Sequence, residues 1–526
     1  MMERMALNDQ SERWWRDAVC YQVYVRSFAD GDGDGIGDLP GITSRLPYLA
    51  DLGVDALWIT PFYPSPQNDH GYDVADYCDV DPLFGKLADA DNLIERAHAL
   101  GLRVIVDLVP NHTSDQHRWF QEALAAGPGS PERARYIFRD GEDDSPPNNW
   151  QSVFGGPAWP RCPDGQWYLH LFDSTQPDLD WRNPEVHAMF EDVLRFWLAR
   201  GVDGFRIDVA HGLYKVESLP NQKDPTVRRI ERMLDSAYGD DEPMWDQPEI
   251  HDVYRRWAEI LDEFGPDRMA VAEAWVPDSE SLAAYVRPDE LDQAFNFSWL
   301  LADWDAPAFA EVIRRTFAST EPVGASPTWV LSNHDVTRHV TRYGGGEQGL
   351  ARARAATLTM LALPGAVYLY QGEELGLEEV DVAPEHRQDP AWFRTREPGR
   401  DGCRVPVPWS GAEPPFGFGP GEGQPWIPQP ESWKALTVEA QQDDPASTLS
   451  FYRAALEHRR QHANPAGQVV EIFDQSEDVL AFRRGPLTVV LNCGEEPAEL
   501  PSGEVLLSSG PLADGLLPPD TAAWLG

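Results

Sequence analysis

The sequence predicts an α/β chain: a (β/α)8 TIM barrel, with a subdomain inserted after the third strand and an all-β domain at the C-terminus. Three observations predict it. Eight short apolar runs alternate with amphipathic stretches, the pattern of parallel strands joined by crossover helices. Several of the runs finish in acidic residues (Asp107, Asp208, Glu273, Asp335, Glu373), and barrel enzymes place their chemistry at the C-terminal ends of strands. From about Ser447 the texture changes to β runs separated by turn residues.

In chain order the eight runs are AVCYQVYV (18–25), ALWIT (56–60), VIVDLV (104–109), GFRIDV (204–209), MAVAEAW (269–275), AFNF (294–297), TWVLSNHD (328–335) and AVYLYQGEE (366–374). Between them, Asp89–Leu100, Val186–Arg200 and Glu249–Phe264 carry apolar residues at helical spacing. The rhythm breaks twice. From about Asn111 to Pro184 the chain is rich in Pro, Gly, Asp and Trp; an excursion of that length is usually functional and reads as a small subdomain over the barrel mouth. A second irregular stretch, Glu378 to Trp433, follows the eighth run. The tail opens with a helix, SFYRAALEHRRQHA, and continues with VVEIFD, VLAFRRG, LTVVLNCG and GEVLLSSG, expected to form a β-sandwich. The expected divisions are 1–111 with 185–446 for the barrel, 112–184 for the insert and 447–526 for the tail.

Length and composition fit this architecture. The 526 residues exceed one ordinary domain, and 42% hydrophobic residues with 20 Trp supply a sizeable core. A net charge of −44 argues against nucleic acid or an anionic membrane as partner, since both need basic patches. The five cysteines are scattered without CxxC spacing, so neither a disulfide framework nor a zinc site is expected. MMERMALNDQSERWW has no apolar leader run. The longest apolar run, near Thr357 to Tyr370, is interrupted by Pro364 and is too short to span a bilayer. A cytoplasmic protein is expected, monomeric or homodimeric.

The chemistry begins at GFRIDV. Residues two apart in a strand share a face, so Arg206 and Asp208 project together. A guanidinium beside a carboxylate favours its ionised form, which suits a nucleophile. Other strand ends join it: DLVPNH ends at His112, AEAW carries Glu273, and SNHD ends with His334 and Asp335. Three carboxylates, two histidines and an arginine at one end of different strands are hard to explain as packing. Separately, DGDGDGIGD places Asp30, Asp32 and Asp34 at the 1, 3 and 5 spacing of a calcium loop, with Gly35 for the sharp turn. Position 12 of that loop is Gly41 rather than Glu, so it is no complete EF-hand.

The stretches DGDGDGIGDLPGI, DHGYDVADY, DLVPNHTSDQHRWF, LHLFDSTQPDLDWRNPEV, GFRIDVAH, AEAW, SNHDVTR and YLYQGEELG run from about residue 20 to 405. In order and spacing they resemble the α-amylase superfamily, glycoside hydrolase family 13, and within it the α-glucosidase/oligo-1,6-glucosidase branch. The resemblance implies that Asp208 is the nucleophile, Glu273 the general acid/base, and Asp335 a third carboxylate gripping sugar hydroxyls. It implies that Arg206, His112 and His334 bind the sugar beside the scissile bond. Asp69 would anchor the non-reducing end of the glucose, and Tyr72 would stack on its ring. Arg400 in GRDGCR resembles a further arginine near that glucose, with Arg404 the competing position. Phe172 resembles an aromatic at the pocket mouth, and Phe154 is a second candidate there. The family's loop after the first strand would hold a structural Ca²⁺ or Mg²⁺ through Asp30, Asp32, Asp34, the Ile36 carbonyl and Asp38. No organic cofactor is implied.

The implied activity is that of a retaining α-glucosidase acting on small oligosaccharides. Retention needs two carboxyl groups about 5–5.5 Å apart, one ionised and one protonated. Arg206 is expected to favour ionised Asp208, while burial and nearby negative charge would raise Glu273. Val after the nucleophile tends to accompany α-1,6 cleavage in the family, but Val209 is followed here by Ala210 and His211. Maltose-type α-1,4 substrates are therefore placed ahead of isomaltose-type α-1,6 ones. A transglucosylase or trehalose-forming mutase using the same site is the runner-up. The third reading, a non-catalytic subunit of an amino-acid transporter, conflicts with the three carboxylates and the lack of a spanning segment.

Overall fold

The computed structural model describes residues 13–223, 242–421, 423–463, 469–512 and 515–526. The opening residues 1–12, part of the stretch read for a leader, lie outside them. Eight strands follow the order of the apolar runs: β1 (Val19–Val23), β2 (Ala56–Ile59), β3 (Arg103–Leu108), β4 (Gly204–Ile207), β5 (Met269–Ala272), β6 (Gln293–Ala294), β7 (Thr328–Val330) and β8 (Ala366–Tyr370). All pairings are parallel, in the order β6-β5-β4-β3-β2-β1-β8-β7. The β6–β7 seam has no ladder; there the Asn296 N–H donates to the Thr328 carbonyl at 3.0 Å and nearly closes the barrel. The strands are buried almost throughout, as expected where helices cover a parallel sheet.

The helices are set by local chemistry. In α1 (Leu39–Leu52), Asp38 caps the first turn by accepting the Gly41 N–H, and Gly53 ends the helix at φ 99°, a left-handed position that glycine adopts without strain. α2 (Leu87–Ala99) and α3 (Pro184–Ala199) cover the next two crossovers. Asn183 caps α3, with Pro184 at its first turn. α4 (Ile250–Glu263) packs Val253, Tyr254, Trp257 and Ile260 inward. α5 (Ala306–Thr320) is capped by Asp305, and α6 (Gly346–Ala362) buries nearly its whole second half. The AFNF run gives only Ala294 to β6, because Asn296 caps a short helix, Phe297–Leu300, by accepting the Trp299 N–H. GFRIDV likewise stops as a strand at Ile207, leaving Asp208 just beyond the ladder.

The excursion after β3 lies against the barrel through Trp181, whose indole donates to the Pro110 carbonyl at 2.9 Å. It holds its own core of Ile137, Trp150, Trp159, Leu169 and Leu171. The excursion after β8 contains a short helix, α7 (Pro390–Thr395). After α8 (Thr448–His458) come β9 (Val470–Gln475), β10 (Val479–Arg484), β11 (Leu487–Asn492), β12 (Val505–Ser508) and β13 (Thr521–Leu525). They form one antiparallel sheet, β9-β10-β11-β13-β12, beside a two-stranded ladder. The Trp524 indole on β13 donates to Leu358 in α6 at 2.9 Å and docks this sheet on the barrel. Among the described residues no helix is long and apolar enough to cross a membrane.

Candidate active site

Strand register builds the centre. Asp107 on β3 lies directly opposite Arg206 on β4. Arg206 Nη1 meets Asp107 Oδ1 at 3.0 Å and Asp208 Oδ1 at 2.5 Å, while its Nη2 reaches Glu273 Oε2 at 3.7 Å. One guanidinium thus serves three carboxylates. It also lies over the Trp58 ring, 4.9 Å from the centroid. The Trp58 indole and the Tyr72 hydroxyl donate to Asp107 Oδ2 at 3.1 and 3.0 Å. Asp107 and Arg206 side chains are 0% and 2% exposed, whereas Asp208, Glu273 and Asp335 keep 10%, 11% and 27%. The first pair is therefore the floor, and the other three face the open side.

Glu273 is fixed from two directions. Its Oε2 accepts the Val209 N–H at 2.7 Å, and its Oε1 accepts the Trp275 indole N–H. Trp275 in turn stacks on Phe297 with centroids 3.8 Å apart.

Charge in the centre is strained. Burial pushes the Asp208 carboxyl well above its ordinary value; Arg206 opposes this, and the negative charges of Glu273 and Asp107 reinforce it. The expectation that Arg206 would keep Asp208 ionised is thus only half of the balance, because a single cation is divided among three acids. Burial also raises Asp107, to about 6, against Arg206.

A second cluster lies beside the first. Asp335 Oδ1 accepts from Arg400 Nη1 at 2.9 Å and Arg404 Nη2 at 3.0 Å, and its Oδ2 lies 3.3 Å from His334 Nε2. Burial alone would raise Asp335, but His334, Arg400, Arg404 and Arg206 hold it far below the usual carboxylate range. Burial lowers the His334 imidazole well below its ordinary value, against the pull of Asp335. Arg400 also reaches Asp69 Oδ1 at 2.8 Å and Asp389 Oδ2 at 2.6 Å. Arg404 is fully buried and spends its Nε on the His334 carbonyl at 2.8 Å. Of the two competing arginines, Arg400 is the one with an accessible face, at 19%.

The remaining residues singled out in the sequence gather around these clusters. Tyr72 stacks flat on His334, centroids 5.3 Å apart at 8°. His334 Nδ1 lies 2.6 Å from Gln22 Nε2. His112 turns Nε2 to the Tyr72 carbonyl at 3.1 Å, and burial lowers its imidazole to about 4. Phe172 packs 5.2 Å from the His112 ring, and Phe154 lies under the Arg400 guanidinium at 5.0 Å.

Sequence reasoning missed several partners. In the sequence Asp107 reads only as a strand end; the β3–β4 register is what makes it the floor. Gln176, fully buried, donates to Asp69 Oδ2 at 3.0 Å, and nothing in DSTQPD marks it. Asp389 is another, held down to about 2 by Arg400 and Arg404 against the effect of burial.

The acidic loop after β1 is a separate feature. Oxygens of Asp30, Asp32 and Asp38 all lie within 4.8 Å of one another. Asp34 is not in that group, and its Oδ1 accepts the Ile36 N–H at 2.8 Å. Backbone N–H groups of Gly33 and Gly35 orient Asp30, and that of Gly31 orients Asp38. Burial raises Asp38 to about 6, and Asp32 and Asp30 add to it. Three hard carboxylates converging on one point fit a Ca²⁺- or Mg²⁺-type ion.

Comparison with known proteins decides the family. The model for the alpha-amylase catalytic domain matches residues 22–466. The chain belongs to the α-amylase superfamily, glycoside hydrolase family 13. A domain of unknown function, DUF3459, matches residues 452–524, the all-β tail of this family member. A probable alpha-glucosidase of Rhizobium meliloti (strain 1021) is 41% identical over 496 residues, covering 91% of this chain and 88% of that protein. An oligo-1,6-glucosidase of Parageobacillus thermoglucosidasius is 35% identical over 484 residues, covering 85% and 84%. The crystal structure of an alpha-glucosyl transfer enzyme, XgtA, superposes with a TM-score of 0.90 at 40% identity, covering 98% of this chain and 100% of that one. This family 13 chain is accordingly a glycoside hydrolase of the α-glucosidase branch.

Proposed function

We propose that the protein is a retaining α-glucosidase that releases α-glucose from the non-reducing end of short α-glucosides. The observation that carries this reading is the placement of Asp208 and Glu273 on opposite nitrogens of Arg206. Full ionisation of Asp107, Asp208 and Glu273 would leave two uncompensated negative charges in a buried centre, and such charges are costly. That imbalance keeps a proton within the cluster, which is what acid catalysis requires. Asp208 attacks the anomeric carbon while Glu273 delivers a proton to the departing oxygen. Water then enters, Glu273 takes its proton, and the Asp208–glucosyl ester is hydrolysed. Asp335, held ionised by its arginines, accepts hydrogen bonds from sugar hydroxyls. Asp69 and Arg400, joined at 2.8 Å, grip the far end of the glucose. Their pairing ends the site there, which favours exo-action. Maltose-type substrates are placed first.

A second reading has its own support. The similarity to an alpha-glucosyl transfer enzyme favours capture of the glucosyl ester by a sugar hydroxyl in place of water. Both readings share every step up to the ester.

Asp30, Asp32 and Asp38 would hold a structural divalent ion. When bound, it neutralises the loop. The same loop positions Trp426, whose N–H donates to the Gly35 carbonyl at 3.0 Å. Trp426 approaches Tyr24 at 6.3 Å, and Tyr24 stacks on His334. An ion held there would support the site's wall through Trp426 and Tyr24.

Product analysis over time with maltose, isomaltose, sucrose and trehalose tests the proposal. Release of α-glucose from at least one is expected, and new oligosaccharides would favour the second reading. If none is touched, the proposal fails.

A further inference from the structure

The Arg394–Asp173 ion pair lies outside the clusters described so far. Arg394 on α7 donates from Nη1 to Asp173 Oδ2 at 3.0 Å and from Nη2 to the Gly155 carbonyl at 2.9 Å. It joins the excursion after β8 to the excursion after β3. The two side chains are 22% and 14% exposed, so the pair sits at the rim. Asp173 is held on its other oxygen by the Thr175 N–H and hydroxyl, both at 2.9 Å. Burial pushes the Asp173 carboxyl up, but Thr175 and Arg394 outweigh it and keep it below its ordinary value.

The pair is wired to the site's end wall. The Asp173 N–H donates to Gln176 Oε1 at 2.8 Å. Gln176 Nε2 donates to Asp69 Oδ2 at 3.0 Å. Asp69 Oδ1 accepts Arg400 Nη2 at 2.8 Å. Arg400 Nε donates to Asp389 Oδ2 at 2.6 Å, and Asp389 caps α7 by accepting the Ala391 N–H at 2.8 Å. α7 carries Arg394, so the circuit closes on itself. Packing tightens the same contact: a Cβ on Gly155 would lie 2.7 Å from Thr395 Cγ2, and Gly155 has φ +89°.

We propose that Arg394 and Asp173 form a strap across the two excursions, and that through Gln176 it sets the Asp69–Arg400 pair that holds the non-reducing glucose. They are positioning residues: neither approaches Asp208 or Glu273, but both determine how tightly a terminal glucose is held. The strap rests on the α-glucosidase reading only for what the glucose does afterwards. Binding of the sugar itself is independent of turnover.

The test compares the wild type with R394Q, D173N and R394K. Calorimetric titration with D-glucose reads binding, and initial rates with maltose read KM and kcat. R394Q and D173N are expected to raise the D-glucose Kd and the maltose KM about tenfold with kcat within about twofold, the signature of lost uniform binding. R394K, which keeps the charge, is expected to recover part of the loss, and R394Q/D173N to be no worse than either single variant, as for a pair acting as one unit. Unchanged Kd and KM in folded R394Q and D173N overturn the strap. So does a wild type that binds no D-glucose. A wild type that binds D-glucose yet cleaves no α-glucoside defeats the α-glucosidase reading alone, and the Kd comparison still decides the strap.

Discussion

Arg206→Lys is the most informative single change in the centre. It keeps one positive charge but loses the planar fork that now spans Asp107, Asp208 and Glu273. An ammonium can sit against one or two of these acids, not all three. Breaking a buried charge pair costs about 3–5 kcal/mol; keeping the charge retains part of that, so a loss of about 3 kcal/mol in transition-state stabilisation is expected, or about 10²-fold in kcat/KM. The direction of the pH effect follows from Asp208, whose carboxyl burial already raises and Arg206 restrains. A weaker restraint raises it further, so less of it is ionised at a given pH. The acid limb of the kcat/KM profile should move toward higher pH. Rates with the best substrate from the product analysis, measured from about pH 4 to 9, check both effects, with circular dichroism as a control on folding. A folded R206K variant within tenfold of the wild type and with an unmoved acid limb would refute the argument that one guanidinium balances the three acids.

Other changes probe separate parts of the site. Glu273→Gln should lower kcat/KM, which reports formation of the glucosyl ester, by about 10²–10⁴-fold on an alkyl glucoside and far less on a p-nitrophenyl glucoside, whose leaving group needs no proton; equal losses in kcat/KM on both would contradict its role as the acid. Ca²⁺ or Mg²⁺ should raise the melting temperature, by about 2.7 kcal/mol of stability at a hundredfold excess over Kd. That gain should be larger at pH 7 than at pH 5. Asp38 titrates near 6 in the ion-free fold, above its unfolded value of 3.8, so the ion-free fold loses stability as pH rises through this window, and an ion needs the carboxylate there. Scanning calorimetry with and without chelator reads both. Arg400→Lys should chiefly raise KM, because Arg400 faces the substrate side, whereas Arg404→Lys should chiefly lower the melting temperature, because Arg404 is buried and braces the His334 carbonyl; kinetics and melting curves of the two variants separate the roles.

The strand-and-helix frame was legible because buried parallel strands must read as apolar runs, and the turn chemistry at Asp38, Asn183 and Asp305 marks helix starts locally. Asp208, Glu273 and Asp335 were legible for a related reason: each ends or closely follows a run that is otherwise apolar. What the sequence hid is anything decided by register or by loops meeting in space. Asp107 becomes the partner of Arg206 only because β3 and β4 align residue for residue. Gln176, Asp389 and Arg394 come from irregular stretches, where no periodicity fixes which residues meet. AFNF reads as a longer strand than it forms, since the capping preference of Asn296 overrides an apolar run.

The turn after β4 ties these levels together. Val209 has φ 47°, a left-handed conformation that is an outlier for a β-branched residue and costs about 1–3 kcal/mol. The rest of the turn holds it there. The Gly212 N–H donates back to the Val209 carbonyl at 2.8 Å, and a Cβ on Gly212 would lie 2.6 Å from Val209 Cγ1. The Ala210 N–H donates to the Glu273 carbonyl at 2.9 Å. On the peptide plane just before this turn, the Val209 N–H donates to Glu273 Oε2. Backbone placed immediately after Asp208 thus fixes the position of the second acid, so that DVAHG specifies the separation of the two carboxyl groups as well as the attacking one. A chain that relaxed Val209 into an ordinary extended conformation would keep its strand and its Asp208, and would lose the Ala210 N–H that holds the Glu273 backbone beside them.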